Sequence, residues 1–154
     1  MDKNQSIEEK ARALSEPLLN EAGFDLWDVI FEKEGAMSYL RILFDKDGGI
    51  DDGDCERMTA PLNALMDKQD FVKHVDILEI GSPGLTRRLR RHEHFEKSTG
   101  KPVRVMKRGD KGKAEVIYGT LCAYHREGNE FSLDTGGDIL RLQVKNCLKI
   151  NIDL

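Results

Sequence analysis

Arg87-Arg88-Leu89-Arg90-Arg91 places four arginines in five positions. Arginine suits phosphate because its planar fork donates two hydrogen bonds at once. Lys101, Arg104, Lys107, Arg108, Lys111 and Lys113 follow, so residues 87–113 carry 11 Lys and Arg against 3 Asp and Glu. Such a stretch predicts contact with a nucleic-acid backbone or a ribonucleoprotein. Its other use is to answer acidic residues of the same chain. Few aromatics interrupt it, so specific reading of bases is not expected.

The remaining constellations point away from catalysis. Asp45, Asp47, Asp51, Asp52 and Asp54 cluster, but the glycine a calcium loop needs at its sixth position falls on Ile50. Capping of a helix by Asp51 or Asp52 accounts for those two acids. His92 and His94 are two apart, which on a helix turns the rings to different faces and argues against a shared metal. Ser82 lies in Ser-Pro-Gly, a turn rather than a nucleophile elbow. No glycine-rich nucleotide cradle occurs. Cys55, Cys122 and Cys147 are odd in number and hold no C-x-x-C, so neither a disulfide framework nor a thiolate metal site is expected.

Two modules must position the basic stretch. Residues 1–82 hold 9 Lys and Arg against 19 Asp and Glu, a net of −10; residues 83–154 hold 15 against 9, a net of +6. The sign changes at Gly81-Ser82-Pro83-Gly84. In the acidic part, Ser6-Ile7-Glu8-Glu9 reads as a capping box for a helix bearing Ile7, Ala11, Leu14, Leu18 and Ala22 on one face, with a kink at Pro17 and a cap at Gly23. Strands over 24–32 and 39–44 flank a turn at 34–37. A second helix carries Cys55, Met58, Leu62 and Leu65, and a third strand covers 74–80. The module is α-β-β-α-β, a short sheet with helices on one side.

The basic part opens with a short helix, 92–98, ending at Gly100. Strand-like runs follow at 102–106, 114–124, 130–134, 139–144 and 148–153, separated by glycine-rich turns. Five short strands in so short a stretch predict a closed SH3-like or Sm-like β-barrel, giving an α+β two-domain protein. The polar N-terminus lacks the apolar stretch of a signal peptide, and no apolar run reaches the roughly 20 residues of a membrane span. A cytoplasmic monomer without cofactor, metal or membrane contact is expected.

Asp45-Lys46-Asp47-Gly48-Gly49-Ile50, Asp54-Cys55-Glu56, Leu62-Asn63-Ala64-Leu65-Met66-Asp67 and Leu78-Glu79-Ile80-Gly81-Ser82-Pro83-Gly84-Leu85 resemble, in order and spacing, the bacterial ribosome maturation factor P family. Gly81, Thr86 and Arg88 depart from its pattern, which has serine, an acid and proline there. The departures predict a looser hinge over Gly81, Ser82, Pro83, Gly84 and Leu85. The resemblance implies a non-enzymatic assembly factor for the small (30S) ribosomal subunit. Its implied partners are the immature subunit, 16S rRNA and the small-subunit ribosomal protein numbered twelve. Arg87, Arg88, Arg90, Arg91, Lys101, Arg104, Lys107 and Arg108 are the candidate contacts with rRNA or ribosomal protein. Two rival readings are a generic Sm-like RNA-binding module outside the ribosome and a nuclease or hydrolase built on Asp51 and Asp52.

Overall fold

A computed structural model describes residues 2–153; Met1 and Leu154, the ends of the two expected domains, lie outside the described residues. The chain forms two compact units, Met1–Pro83 and Gly84–Leu154.

The first unit begins with α1, Lys3–Glu21. Asp2 caps it: its Oδ1 accepts from the Gln5 amide at 2.8 Å while the Gln5 side chain accepts from the Asp2 amide at 3.2 Å. The box expected at Ser6 therefore lies one turn earlier. Asp2 and Gln5 satisfy the same class of orphan amides, and the Ser6 amide is left to donate to the Asp2 carbonyl inside the helix. The helix continues through Pro17 and stops at Ala22, with Gly23 at φ +90°. Its buried face is Ile7, Ala11, Ser15 and Leu19, with Leu14 and Leu18 at the margin.

β1, Asp25–Glu34, and β2, Met37–Asp45, form an antiparallel hairpin turned by Gly35 at φ +60°. The helix α2, Asp52–Asp67, then crosses to β3, Ile77–Gly81, which pairs in parallel with β2. His74, expected as the first residue of this strand, instead ends a 3-10 turn, Asp70–His74, that buries Phe71. The sheet order is β1-β2-β3. Alternate residues Leu40, Ile42 and Phe44 of β2 join Ile7, Ala11 and Leu19 of α1 and Met58, Leu62 and Met66 of α2 in one core. The period-2 strand pattern and the period-3.6 helix pattern thus meet on one side of the sheet.

The second unit carries α3, His92–Lys97, and five strands: β4, Pro102–Arg108; β5, Ala114–His125; β6, Glu130–Asp134; β7, Ile139–Gln143; and β8, Cys147–Ile152. All pairings are antiparallel, in the order β7-β6-β5-β4-β8. Val103, Val105, Leu121, Phe131, Leu133, Ile150 and Ile152 are buried, and Phe95 of α3 stacks 5.7 Å from Phe131.

The closed barrel expected from the strand count is not present: β7 and β8 are the two edges of one sheet. The free edge of β8 bonds to residues 87–89 instead. The Leu89 amide donates to the Ile150 carbonyl at 2.7 Å, and the Ile152 amide to the Arg87 carbonyl at 3.0 Å. An edge covered by a stretch of its own chain needs no closure.

Candidate nucleic-acid interface

The junction is built locally by strand and turn. Gly81 is the last residue of β3, level with Leu43, and a Cβ there would meet open space. Gly84 has φ +83°, a conformation that suits glycine. Its carbonyl accepts from Arg87 Nε at 3.1 Å. Leu85 is 78% exposed.

The arginine strip is fixed through its backbone. Arg88 lies opposite Asn151 of β8, and Asn151 Nδ2 donates to the Thr86 carbonyl at 3.0 Å. One residue on, Leu89 is buried. The amides of Arg90 and Arg91 both donate to Nδ1 of the buried His94, at 2.9 and 3.0 Å. Two donors on Nδ1 leave the ring proton on Nε2. Arg91 Nε also meets Glu93 at 3.1 Å. All four arginine side chains are partly exposed.

Of the other candidates only Arg104 shares a level with the strip, through Asn151, which lies opposite both Arg88 and Arg104. Lys101 is exposed just before β4. Arg104 lies in β4 between Asn151 of β8 and Tyr118 of β5. Lys107 and Arg108 stand at the far end of the strand. Lys107 pairs with Glu115 at 3.5 Å, and both basic residues line a cleft of ≈ 560 Å³ with Arg141 and Gln143. The tight loop beyond, Asp110–Gly112, is closed by the Gly109 amide on the Lys113 carbonyl at 2.7 Å. Lys111 there has φ +62°.

Sequence reasoning did not find His94 or Asn151 as positioning residues. His94 sits three places after Arg91, where a glutamate would mark a capping box, and an imidazole does the work instead. Nothing in the sequence marks Asn151, which acts from 65 residues away.

The acidic cluster serves α2. Asp51 and Asp54 form a reciprocal capping box at 2.8 and 3.1 Å, and Asp54 also meets Lys46 at 3.1 Å and Arg57 at 3.7 Å. The hydrogen bond from the Asp51 amide, then Lys46, holds the Asp54 carboxyl below the usual aspartate range. Among the described residues no group of three His, Cys, Asp or Glu is placed to hold a metal. The three cysteines are free, and burial pushes up the thiols of Cys55 and Cys147. Among the described residues no helix is long and apolar enough to cross a membrane.

Residues 14–86 match the family model described as the RimP N-terminal domain. The match runs from α1 through the core of the first unit to the start of the arginine strip. This domain match supports assignment of the chain to the RimP family.

Proposed function

We propose that the chain assists assembly of the small (30S) ribosomal subunit by binding, not by catalysis. It binds immature subunits through 16S rRNA and the small-subunit ribosomal protein numbered twelve, and acts as a cytoplasmic monomer. The observation that carries this reading is the RimP N-terminal domain match over 14–86. The charge division supports it: an acidic domain over 1–82 orients a basic domain over 83–154 that contacts the particle. In this reading Arg87, Arg88, Arg90, Arg91, Lys101, Arg104, Lys107 and Arg108 are the contacts, and the junction 81–85 is the hinge.

The basic domain is read as SH3-like on its connectivity. A five-strand meander returns its last strand beside its first, after a 3-10 turn at Val144–Asn146. Binding a partly folded rRNA conformation more tightly than the mature one would shift the population toward productive assembly.

Sedimentation of the tagged full chain in cell extract tests the reading. The expected result is co-migration with small subunits that weakens steeply with salt. Replacing Arg87, Arg88, Arg90 and Arg91 together by Ala is expected to weaken it further. Migration with free RNA alone would favour a general RNA-binding module and overturn the assembly role.

A further inference from the structure

β4 and β5 alternate between the two sides of the second unit's sheet. Val103, Val105 and Leu121 point to the buried side; Arg104, Met106, Val116, Tyr118 and Thr120 point to the other. The strand register places these outer residues at common levels. Asn151, Arg104 and Tyr118 share one level, and Lys149, Met106 and Val116 share the next. Tyr118 is 58% exposed and Val116 40%.

Single exposed apolar residues are ordinary. Here a tyrosine, a valine and a methionine are neighbours on one sheet face, which marks a contact surface. Beyond β8, Arg88 shares the first level through Asn151; within β4, β5 and β8 the charged side chains on these two levels are Arg104 and Lys149. Both are cations, and among the described residues neither has an ion-pair partner. An acidic peptide would satisfy the cations, but its carboxylates bring no flat ring to cover the exposed tyrosine. A nucleic-acid strand satisfies both features, because each nucleotide brings a phosphate and a flat base.

We propose that this face binds single-stranded RNA, with one base stacked on the Tyr118 ring and the flanking phosphates held by Arg104 and Lys149. The choice of RNA over DNA rests on the assembly-factor reading. The stacking site itself rests on the register and exposure of these side chains. It adds to the arginine strip a sequence-tolerant grip on unpaired nucleotides, the form in which immature RNA differs from folded RNA.

Fluorescence anisotropy of a labelled oligouridylate with the full chain, across a salt series, tests the proposal. Tyr118→Ala is expected to weaken binding about tenfold, since one base–aromatic stack has roughly that effect. Tyr118→Phe is expected to retain affinity, because stacking uses the ring and not the hydroxyl. Arg104→Ala and Lys149→Ala are each expected to reduce the salt slope by about 0.7. Equal thermal midpoints establish that these surface variants fold. Unchanged affinity in Tyr118→Ala, or a Phe variant no better than Ala, overturns the proposal. So does a wild-type chain that binds no oligonucleotide but loses a protein partner when Tyr118 is replaced. Tyr118-dependent RNA binding without co-sedimentation with small subunits would sustain this site and remove the assembly role. The opposite pair of results would do the reverse.

Discussion

In the first unit each arginine meets a carboxylate of the same unit: Arg12 with Glu16, Arg57 with Asp54, and Arg41 with Glu32, Glu34 and Glu79. In the second, Arg104 and Arg108 have no ion-pair partner among the described residues, and neither do Lys101, Lys111, Lys113 and Lys149. The acidic unit uses its three arginines and Lys46 to hold itself together, while the basic unit pairs Arg91, Lys107, Arg126 and Arg141 in the same way. The basic unit positions the backbone of its arginine strip with neutral groups: the Ile150 carbonyl and Ile152 amide of β8 and the imidazole Nδ1 of His94. The difference lies between arginines committed to the fold and cations of β4 and β8 left without an ion pair, and it can be broken by substitutions on each side.

The largest expected effect is at His94. His94→Ala leaves the Arg90 and Arg91 amides without their acceptor and opens a cavity beside α3. Destabilisation of about 3 kcal/mol is expected, from two orphaned donors and lost packing. Urea unfolding gives the total, and amide exchange at Arg90 and Arg91 locates it. If those two amides stayed as protected as in wild type, the strip would be held by something other than the imidazole.

Next comes a matched pair, Arg41→Ala and Arg104→Ala. Arg41 Nη1 lies 2.7 Å from Glu32, Nη2 2.8 Å from Glu34 and Nε 3.2 Å from Glu79, and its guanidinium sits 4.5 Å from the centre of the Tyr39 ring. Burial works against its charge, yet hydrogen bonds to Glu34 and Glu79 outweigh this and raise its pKa. Its removal leaves three carboxylates facing one another, so a loss of about 2 kcal/mol is expected. Arg104→Ala is expected to change stability by less than about 0.5 kcal/mol, as for a surface site without partners. Equal losses in the two variants would erase the contrast.

The strands were legible where pattern and punctuation agreed. Glu130–Asp134 lies between Gly128-Asn129 and Gly136-Gly137, and its bounds are those read from the sequence. Asp51 was legible as a cap because an acid preceded an apolar helical stripe. The start of α1 was not, since Asp2 with Gln5 and Ser6 with Glu9 are both plausible boxes and only the fold selects between them. The open sheet was hidden for a different reason. The partner of β8's free edge is Arg87–Leu89, a segment whose composition reads as a charge run. The outer face of β4 and β5 was equally hidden, because levels across strands depend on register shifts such as that between Met106 and Lys107. Composition located the basic region, but not which cations share a face with Tyr118.

The smallest expected effect is a pH dependence that the two units share for different reasons. Hydrogen bonding from the Asp51 amide, then Lys46, lowers the pKa of Asp54; hydrogen bonding from Arg141, then Gln143, lowers that of Glu130. A carboxyl whose folded pKa lies below its unfolded value stabilises the fold fully above the unfolded pKa. That stabilisation is lost as pH falls through the folded value. Unfolded Asp and Glu titrate near about 4, so both contributions are complete at neutral pH and disappear in acid. Asp54→Asn keeps an acceptor for the cap and removes the charge; Glu130→Gln does the same beside Arg141. Each variant should unfold at lower urea than wild type at pH 7, with the gap closing below about pH 4. Added salt should narrow the Glu130 gap more, because Arg141 is well exposed whereas the leading contribution at Asp54 is a short-range bond to a backbone amide. A salt-insensitive Glu130 gap would mean that short-range hydrogen bonding, and not charge attraction to Arg141, carries the difference.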